Sequence, residues 1–164
     1  MNVQRIGLFE ALKRHQTHRR YRGWFQQPGG LLGESSPSSF RHAVSAEIVN
    51  IAGGLVTVKI SGLLTFPEFT GVEHVLDDFL RRYPGPRKVR ILAILEDFRG
   101  WAREGDWGDT TFLDEHDPFI ERIAVVGEKR WEESVLGFNL KGLRKAAVEY
   151  FQPQDLEKAQ AWVA

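Results

Sequence analysis

The segment ERIAVVGEKRW, from Glu121 to Trp131, limits most strongly what this chain can fold into. It places a short apolar run, Ile123 to Val126, directly before Gly127 and a helix start that carries Trp131. An apolar run this short, followed by a glycine, is typical of a buried strand in a sheet covered by helices. The segment therefore predicts an α/β domain. It indicates little about function, because one glycine after a strand is a weak sign of phosphate binding.

The first two strands are predicted by alternation around a glycine pair. Ala46 to Ala52 and Leu55 to Ser61 are rich in β-formers, and Gly53 and Gly54 separate them. Two glycines between such runs are a strong signal for a tight hairpin. We therefore expect strands one and two to be antiparallel.

The period then changes to that of a helix. Thr65 and Glu68 form a Thr-x-x-Glu pattern, which predicts a capping box at the start of a helix that ends near Arg82. Apolar residues recur there every three or four positions, with Glu73 on a polar face. Further strands are predicted at Val89 to Leu95, Ile123 to Val126 and Ala146 to Phe151, a loop with a short helix at Phe98 to Pro118, and helices at Trp131 to Phe138 and Pro153 to Val163. The predicted order is ββαβαβαβα, a mixed sheet of about five strands with helices packed on it.

Charge divides the chain into two parts. Residues 1–42 hold seven Lys or Arg against two acids, whereas residues 43–164 hold fifteen against twenty. Residues 26–39 are rich in Pro, Gly and Ser, which is typical of a linker. We predict a basic arm with its linker at 1–42 and one domain at 43–164. The arm is a generic basic tail, lies on its own acidic domain, or contacts an anionic surface, with nucleic acid the less favoured partner. The candidate contact residues are Lys13, Arg14, Arg19, Arg20 and Arg22.

Composition excludes several classes of protein. The chain has no cysteine, so disulfides, thiolate zinc sites and cysteine nucleophiles are absent. No apolar run approaches the ~20 residues that cross a bilayer, and the first residues lack the apolar core of a signal peptide. We expect a cytoplasmic protein, with peripheral contact at the inner membrane face if the arm binds anionic lipid.

Three segments together resemble a known family. They are DFRGW at Asp97 to Trp101, ERIAVVGEKRW at Glu121 to Trp131, and VEYFQPQDLEKAQAWV at Val148 to Val163. In order and spacing they resemble the SpoIIAA-like family of STAS-fold proteins, over roughly Ala46 to Ala164. The resemblance implies a STAS domain, similar in shape to the lipid-binding part of CRAL-TRIO proteins. It further implies an apolar ligand or membrane association, with no known reaction and no cofactor.

The best candidate site follows the central strand, where open α/β sheets tend to bind ligands. Arg99 could meet an anionic head group, Gly100 could allow close approach, and Trp101 could wall an apolar pocket. The alternative is a structural turn that needs Gly100 for positive φ. The candidate ligand-binding residues are Asp97, Arg99, Gly100, Trp101, Trp107, Phe112 and Trp131.

Two functions follow from these observations. The first is a non-enzymatic module that holds an apolar or lipid-like molecule. The second is a protein-interaction regulator, binding a partner protein or a second copy of the chain as anti-sigma-factor antagonists do. That branch is switched by a phosphoserine after the central strand, and the corresponding segment 97–101 has no serine. We expect neither enzyme activity nor a metal site, because the acids around His116 are typical of a solvated loop.

Overall fold

The computed structural model describes residues 44–83 and 88–164. Its strands are β1 (Ala46–Ala52), β2 (Leu55–Leu64), β3 (Val89–Trp101), β4 (Ile120–Val126) and β5 (Ala147–Phe151). Its helices are α1 (Phe66–Arg82), α2 (Thr111–His116), α3 (Glu132–Phe138) and α4 (Leu156–Val163). Single turns of 3₁₀ helix precede β4, α3 and α4. The order ββαβαβαβα predicted from the sequence is confirmed.

The hairpin β1–β2 has the tight turn that its two glycines predict. Gly53 and Gly54 adopt φ values of +57° and +78°, which are favourable only without a Cβ. Two consecutive positive φ angles characterise the type I′ turn, whose twist matches that of the flanking strands. An irregularity between Ile48 and Asn50 interrupts the antiparallel register, which otherwise runs from Ala46 to Ala52.

The five strands form one sheet in the order β1-β2-β3-β4-β5. All pairs after the hairpin are parallel, so β3 lies in the centre of a mixed sheet. A helix connects each consecutive parallel pair, as parallel strands require. The carboxyl ends of β2 to β5 therefore lie at one edge of the sheet and their amino ends at the other.

Alternate residues of the strands build two cores. The larger joins the sheet to residues of α1, α2 and α3, and includes Ile91 of β3 and Val125 of β4. The smaller joins the opposite face to α4, through Leu92, Ala124 and Val163 among others. Side chains in a strand point alternately to the two faces, so neighbouring residues such as Leu92 and Ile91 enter different cores.

The start of α1 differs in detail from the predicted capping box. Thr65 is the N-cap residue, but its side chain makes no hydrogen bond to the helix backbone. Its hydroxyl donates to the Glu68 carboxylate, which also accepts a hydrogen bond from the Ser45 N–H at 2.9 Å. Although burial opposes ionisation of Glu68, hydrogen bonds from Ser45 and Thr65 lower its pKa below the ordinary value. Glu68 therefore ties the start of α1 to the residue before β1.

The central strand is longer than predicted. β3 continues through Trp101, so the prediction of a loop beginning at Phe98 was wrong. The extension is paired: Gly100 lies opposite Leu63 and Trp101 opposite Leu64 on the long strand β2. A register shift interrupts this ladder, and Asp97 adopts a φ of +47° there. The backbone hydrogen bonds offered by β2 hold the segment in extended form despite its Asp and Gly content.

Candidate functional site

A cavity of about 430 Å³ lies between the sheet and the helices α1, α2 and α3. Its floor consists of residues that point to one face of three neighbouring strands, as the two-residue period of a strand requires. They are Val58 and Ile60 of β2, Ile91, Ala93 and Leu95 of β3, and Ile123 and Val125 of β4. The floor is therefore aliphatic throughout.

Aromatic side chains form much of the roof. Trp107 meets Phe66 edge to face with ring centroids 5.3 Å apart, and Phe69 meets Phe138 at 5.4 Å. The indole N–H of Trp107 donates to the Ala102 carbonyl at 2.8 Å, so this ring is held by its polar end as well as its faces. Trp101 approaches Phe138 at 5.4 Å, which joins the end of β3 to α3. This contiguous aromatic cluster borders the cavity near the carboxyl edge of the sheet.

Glu73 of α1 gives the cavity a titratable group. Burial, and secondarily the neighbouring Asp109 carboxylate, raise the pKa of Glu73 to about 7. Both residues line the cavity, together with the exposed Asp106. The sequence places Glu73 on a polar face of its helix, and the structure adds that this position is half-buried because it lines the cavity between α1 and the sheet.

Arg144 supplies a cation at the other end of the cavity. It precedes β5, and its Nε donates to Asp117 Oδ1 at 2.8 Å, just before β4, so the pair lies at the amino edge of the sheet. The Arg144 side chain is only 4% exposed. Burial opposes ionisation of Asp117, but hydrogen bonds from the Lys145 N–H and from Arg144 hold its pKa below the ordinary value. Asp117 is therefore ionised at neutral pH, and both side chains of the pair are shielded from water.

The predicted site residues divide into three groups. Trp101, Trp107 and Phe112 line the cavity. Gly100 is buried with a φ of +103°, so it serves the irregular strand backbone. Asp97, Arg99 and Trp131 do not line the cavity.

The positions of that third group follow from the continuation of β3. Asp97 and Arg99 are exposed, because they precede and follow Phe98, whose buried ring occupies the core side of the strand. Trp131 lies behind the cavity wall, with its ring 5.0 Å from Phe98 and 6.2 Å from Trp101. It supports Trp101 from outside the cavity.

Sequence reasoning missed Glu73 and Arg144. Glu73 falls between apolar positions of an amphipathic helix, and its half-burial at the cavity depends on tertiary contacts that no local pattern shows. Arg144 stands in the run KGLRK, where nothing distinguishes it from Lys141 and Lys145, both exposed. The one signal in the sequence is the position of Arg144 just before the predicted fifth strand, which Lys145 shares.

His116 has a structural position. Its Nε2 lies 2.6 Å from Asp77 Oδ1, its Nδ1 lies 3.0 Å from the Phe112 carbonyl, and its ring stacks on Phe112 at 4.5 Å. It thereby joins α2 to α1. In the described residues, no group of three or more His, Asp or Glu side chains is arranged to hold a metal ion.

The candidate surface-contact residues Lys13, Arg14, Arg19, Arg20 and Arg22 lie outside the described residues. Contact between the arm and an anionic membrane therefore stays a prediction. Within residues 44–83 and 88–164, none of the helices has the length and apolar character needed to cross a membrane.

Comparisons with known proteins agree with this architecture. The family model described as SpoIIAA-like matches residues 55–164, which run from β2 to the end of the chain. The fold is similar to the crystal structure, at 2.25 Å resolution, of an uncharacterized protein from the DUF3478 family with a SpoIIAA-like fold from Shewanella loihica PV-4. That similarity has a TM-score of 0.58 at 18% identity, and covers 80% of this chain and all of the other. No curated protein matches the sequence.

Proposed function

Because this chain belongs to the SpoIIAA-like family, we propose that it is a non-enzymatic STAS-type module that carries an apolar or amphipathic small molecule. The observation that supports this proposal is the cavity of about 430 Å³ between the sheet and α1 to α3. Ligand pockets in proteins commonly have volumes of ~300 to 1,000 Å³ and mainly apolar walls. The cavity has both properties.

The size of the cavity favours a ligand over a packing defect. Protein interiors are packed about as densely as organic crystals, and large voids cost stability. An occupant with a hydrocarbon body would restore the missing contacts and gain roughly 25 cal/mol for each Å² removed from water. The apolar floor and aromatic roof offer that gain to a chain or ring system, and offer little to a sugar or nucleotide.

Native mass spectrometry of freshly purified full-length protein, followed by solvent extraction, tests the proposal. We expect a reproducible apolar adduct. Ala93→Phe should remove it, because the new ring would occupy space above the floor of the cavity. Ala147→Phe on β5 is the matched control, because Ala147 is exposed and lies outside the cavity lining.

Two results together would contradict ligand carriage. One is a bare chain in the mass spectrum, and the other is no binding of a neutral apolar fluorescent probe to the delipidated protein. If the bare chain instead retained a stable protein partner, the interaction-regulator function would become the better conclusion.

A further inference from the structure

The buried polar atoms without a hydrogen-bond partner indicate which ligand chemistry would suit the cavity. In the described residues that line the cavity, the atoms of this kind are Nη1 and Nη2 of Arg144 and Nε1 of Trp101. All three are hydrogen-bond donors. A buried donor without an acceptor is costly, and more so on a charged group. The occupant of the cavity should therefore bring hydrogen-bond acceptors.

Arg144 is the stronger of the two donor residues. Its salt bridge with Asp117 uses Nε, and the terminal fork of the guanidinium is left without an acceptor. Asp117 also accepts a hydrogen bond from the Lys145 N–H at 2.6 Å, so its oxygens are already shared with the backbone. The salt bridge thus fixes the guanidinium in place while its two outer nitrogens stay unpaired.

We propose that the ligand is an amphipathic monocarboxylate whose two oxygens accept hydrogen bonds from Nη1 and Nη2 of Arg144. The inference rests on the proposed function and specifies the head group of its ligand. A planar carboxylate matches the spacing of the guanidinium fork and accepts both hydrogen bonds at once. An ammonium head group brings only donors and would leave the fork unpaired, and a hydroxyl group offers the fork one oxygen.

The position of Arg144 also sets the orientation of the ligand. The arginine lies at the amino edge of the sheet, whereas the cluster of Trp101, Trp107 and Phe138 borders the cavity near the carboxyl edge. The carboxylate head lies at the first edge, and the hydrocarbon body runs over the aliphatic floor toward the aromatic residues. There the neutral Nε1 of Trp101 keeps no acceptor, which costs less than an unpaired guanidinium would. In this orientation the head is separated from Asp106, which follows the carboxyl end of β3.

The first test uses the unmodified full-length chain, delipidated, and three probes with one hydrocarbon length. Dodecanoate, methyl dodecanoate and dodecanol are titrated against a bound neutral fluorescent probe. We expect dodecanoate to bind at least about tenfold more tightly than either neutral compound, as hydrogen bonds to a charged group predict. Equal affinity of all three would overturn the carboxylate inference and leave apolar ligand carriage intact. Binding of none of them would contradict the proposed function itself.

The second test assigns the preference to the guanidinium. Arg144→Lys keeps a cation beside Asp117 but lacks the fork, and we expect dodecanoate to lose about tenfold in affinity while dodecanol is unchanged. Lys145→Gln is the matched control, because it removes a neighbouring exposed charge whose residue contacts Asp117 only through its backbone. A preference for dodecanoate that survives in Arg144→Lys would overturn the assignment. If that variant does not fold, the probe series on the unmodified chain still decides whether a carboxylate is preferred.

Discussion

The two faces of the sheet are filled in different ways. On the face covered by α4, Ala124, Ala159 and Val163 are fully buried, and their small side chains let the helix lie directly on the strands. On the face covered by α1 to α3, aromatic rings such as Phe69 and Phe138 pack on one another. A cavity of about 430 Å³ lies between those rings and the sheet.

We attribute the difference more to the side chains of the helices than to those of the strands, because the strands supply an alanine to each face, Ala93 and Ala124. Both faces take alternate residues from the same strands, and both contain small and branched side chains. Large rings that contact each other hold their helices away from the floor, whereas alanine on α4 allows close approach. We attribute the cavity to the aromatic pairs of the roof.

The largest expected effect concerns the ion pairs of the two faces. Asp117→Ala would leave Arg144 buried without its carboxylate, since the side chains of this pair are 13% and 4% exposed. Breaking a buried pair by removing one partner costs about 3 to 5 kcal/mol of the free energy of unfolding. Urea denaturation of the full chain measures it.

Lys158→Ala is the control on the α4 face. Lys158 pairs with Asp155 at 2.6 Å, but its side chain is 78% exposed. Exposed pairs contribute roughly 0 to 1 kcal/mol. Similar losses in the two variants would show that water reaches Arg144 as freely as it reaches α4, and would remove the basis for a shielded cation in the cavity.

The sequence predicted the elements whose local pattern and tertiary environment agree. The alternation in Leu55 to Ser61 and the glycine pair before it were sufficient for the hairpin, and helical spacing was sufficient for α1. The continuation of β3 to Trp101 was not predictable in this way, because Asp97 and Gly100 are poor strand formers. Pairing with β2 overrides that preference. The partner of Trp101 is Leu64, 37 positions earlier in the chain, so a local window of the sequence around Trp101 does not contain it.

The candidate site was predicted only in its apolar part. Aromatic residues in the segment after the central strand suggested a ligand wall, and Trp101, Trp107 and Phe112 do line the cavity. The ligand-binding role of these residues stays a prediction. The polar residues were missed because the half-burial of Glu73 and the burial of the Arg144 side chain come from tertiary packing, and burial of a charged residue leaves no periodic signal.

The next largest effect compares the same substitution on the two faces. Ala124→Leu adds bulk beneath α4 at a position with no exposed area, and overpacking of this kind costs typically 1 to 3 kcal/mol. Ala93, on the neighbouring strand, lines the cavity, so Ala93→Leu meets open space and should cost less than about 1 kcal/mol. Thermal and urea unfolding of both variants measure the difference. Equal destabilisation would indicate that the cavity closes around its floor in solution, and would weaken the case for an apolar ligand.

The smallest expected effect is a pH dependence of the free energy of unfolding that comes from Glu73, which lines the cavity. The pKa of Glu73 is raised from 4.5 to about 7, so between these values the folded chain holds a proton that the unfolded chain releases. The free energy of unfolding contributed by this group therefore falls as pH rises through that window and is level above it. Glu73→Gln keeps a neutral side chain at every pH. Above pH ~7 this variant should be more stable than the unmodified protein by on the order of 1 kcal/mol after solvent screening, and below pH ~4.5 it should have no advantage.

Urea unfolding at a series of pH values measures this difference, with Glu104→Gln at an exposed position as the control. A constant difference across the series would show that Glu73 titrates alike in the folded and unfolded chain, and that the helical face of the cavity is as wet as the protein surface.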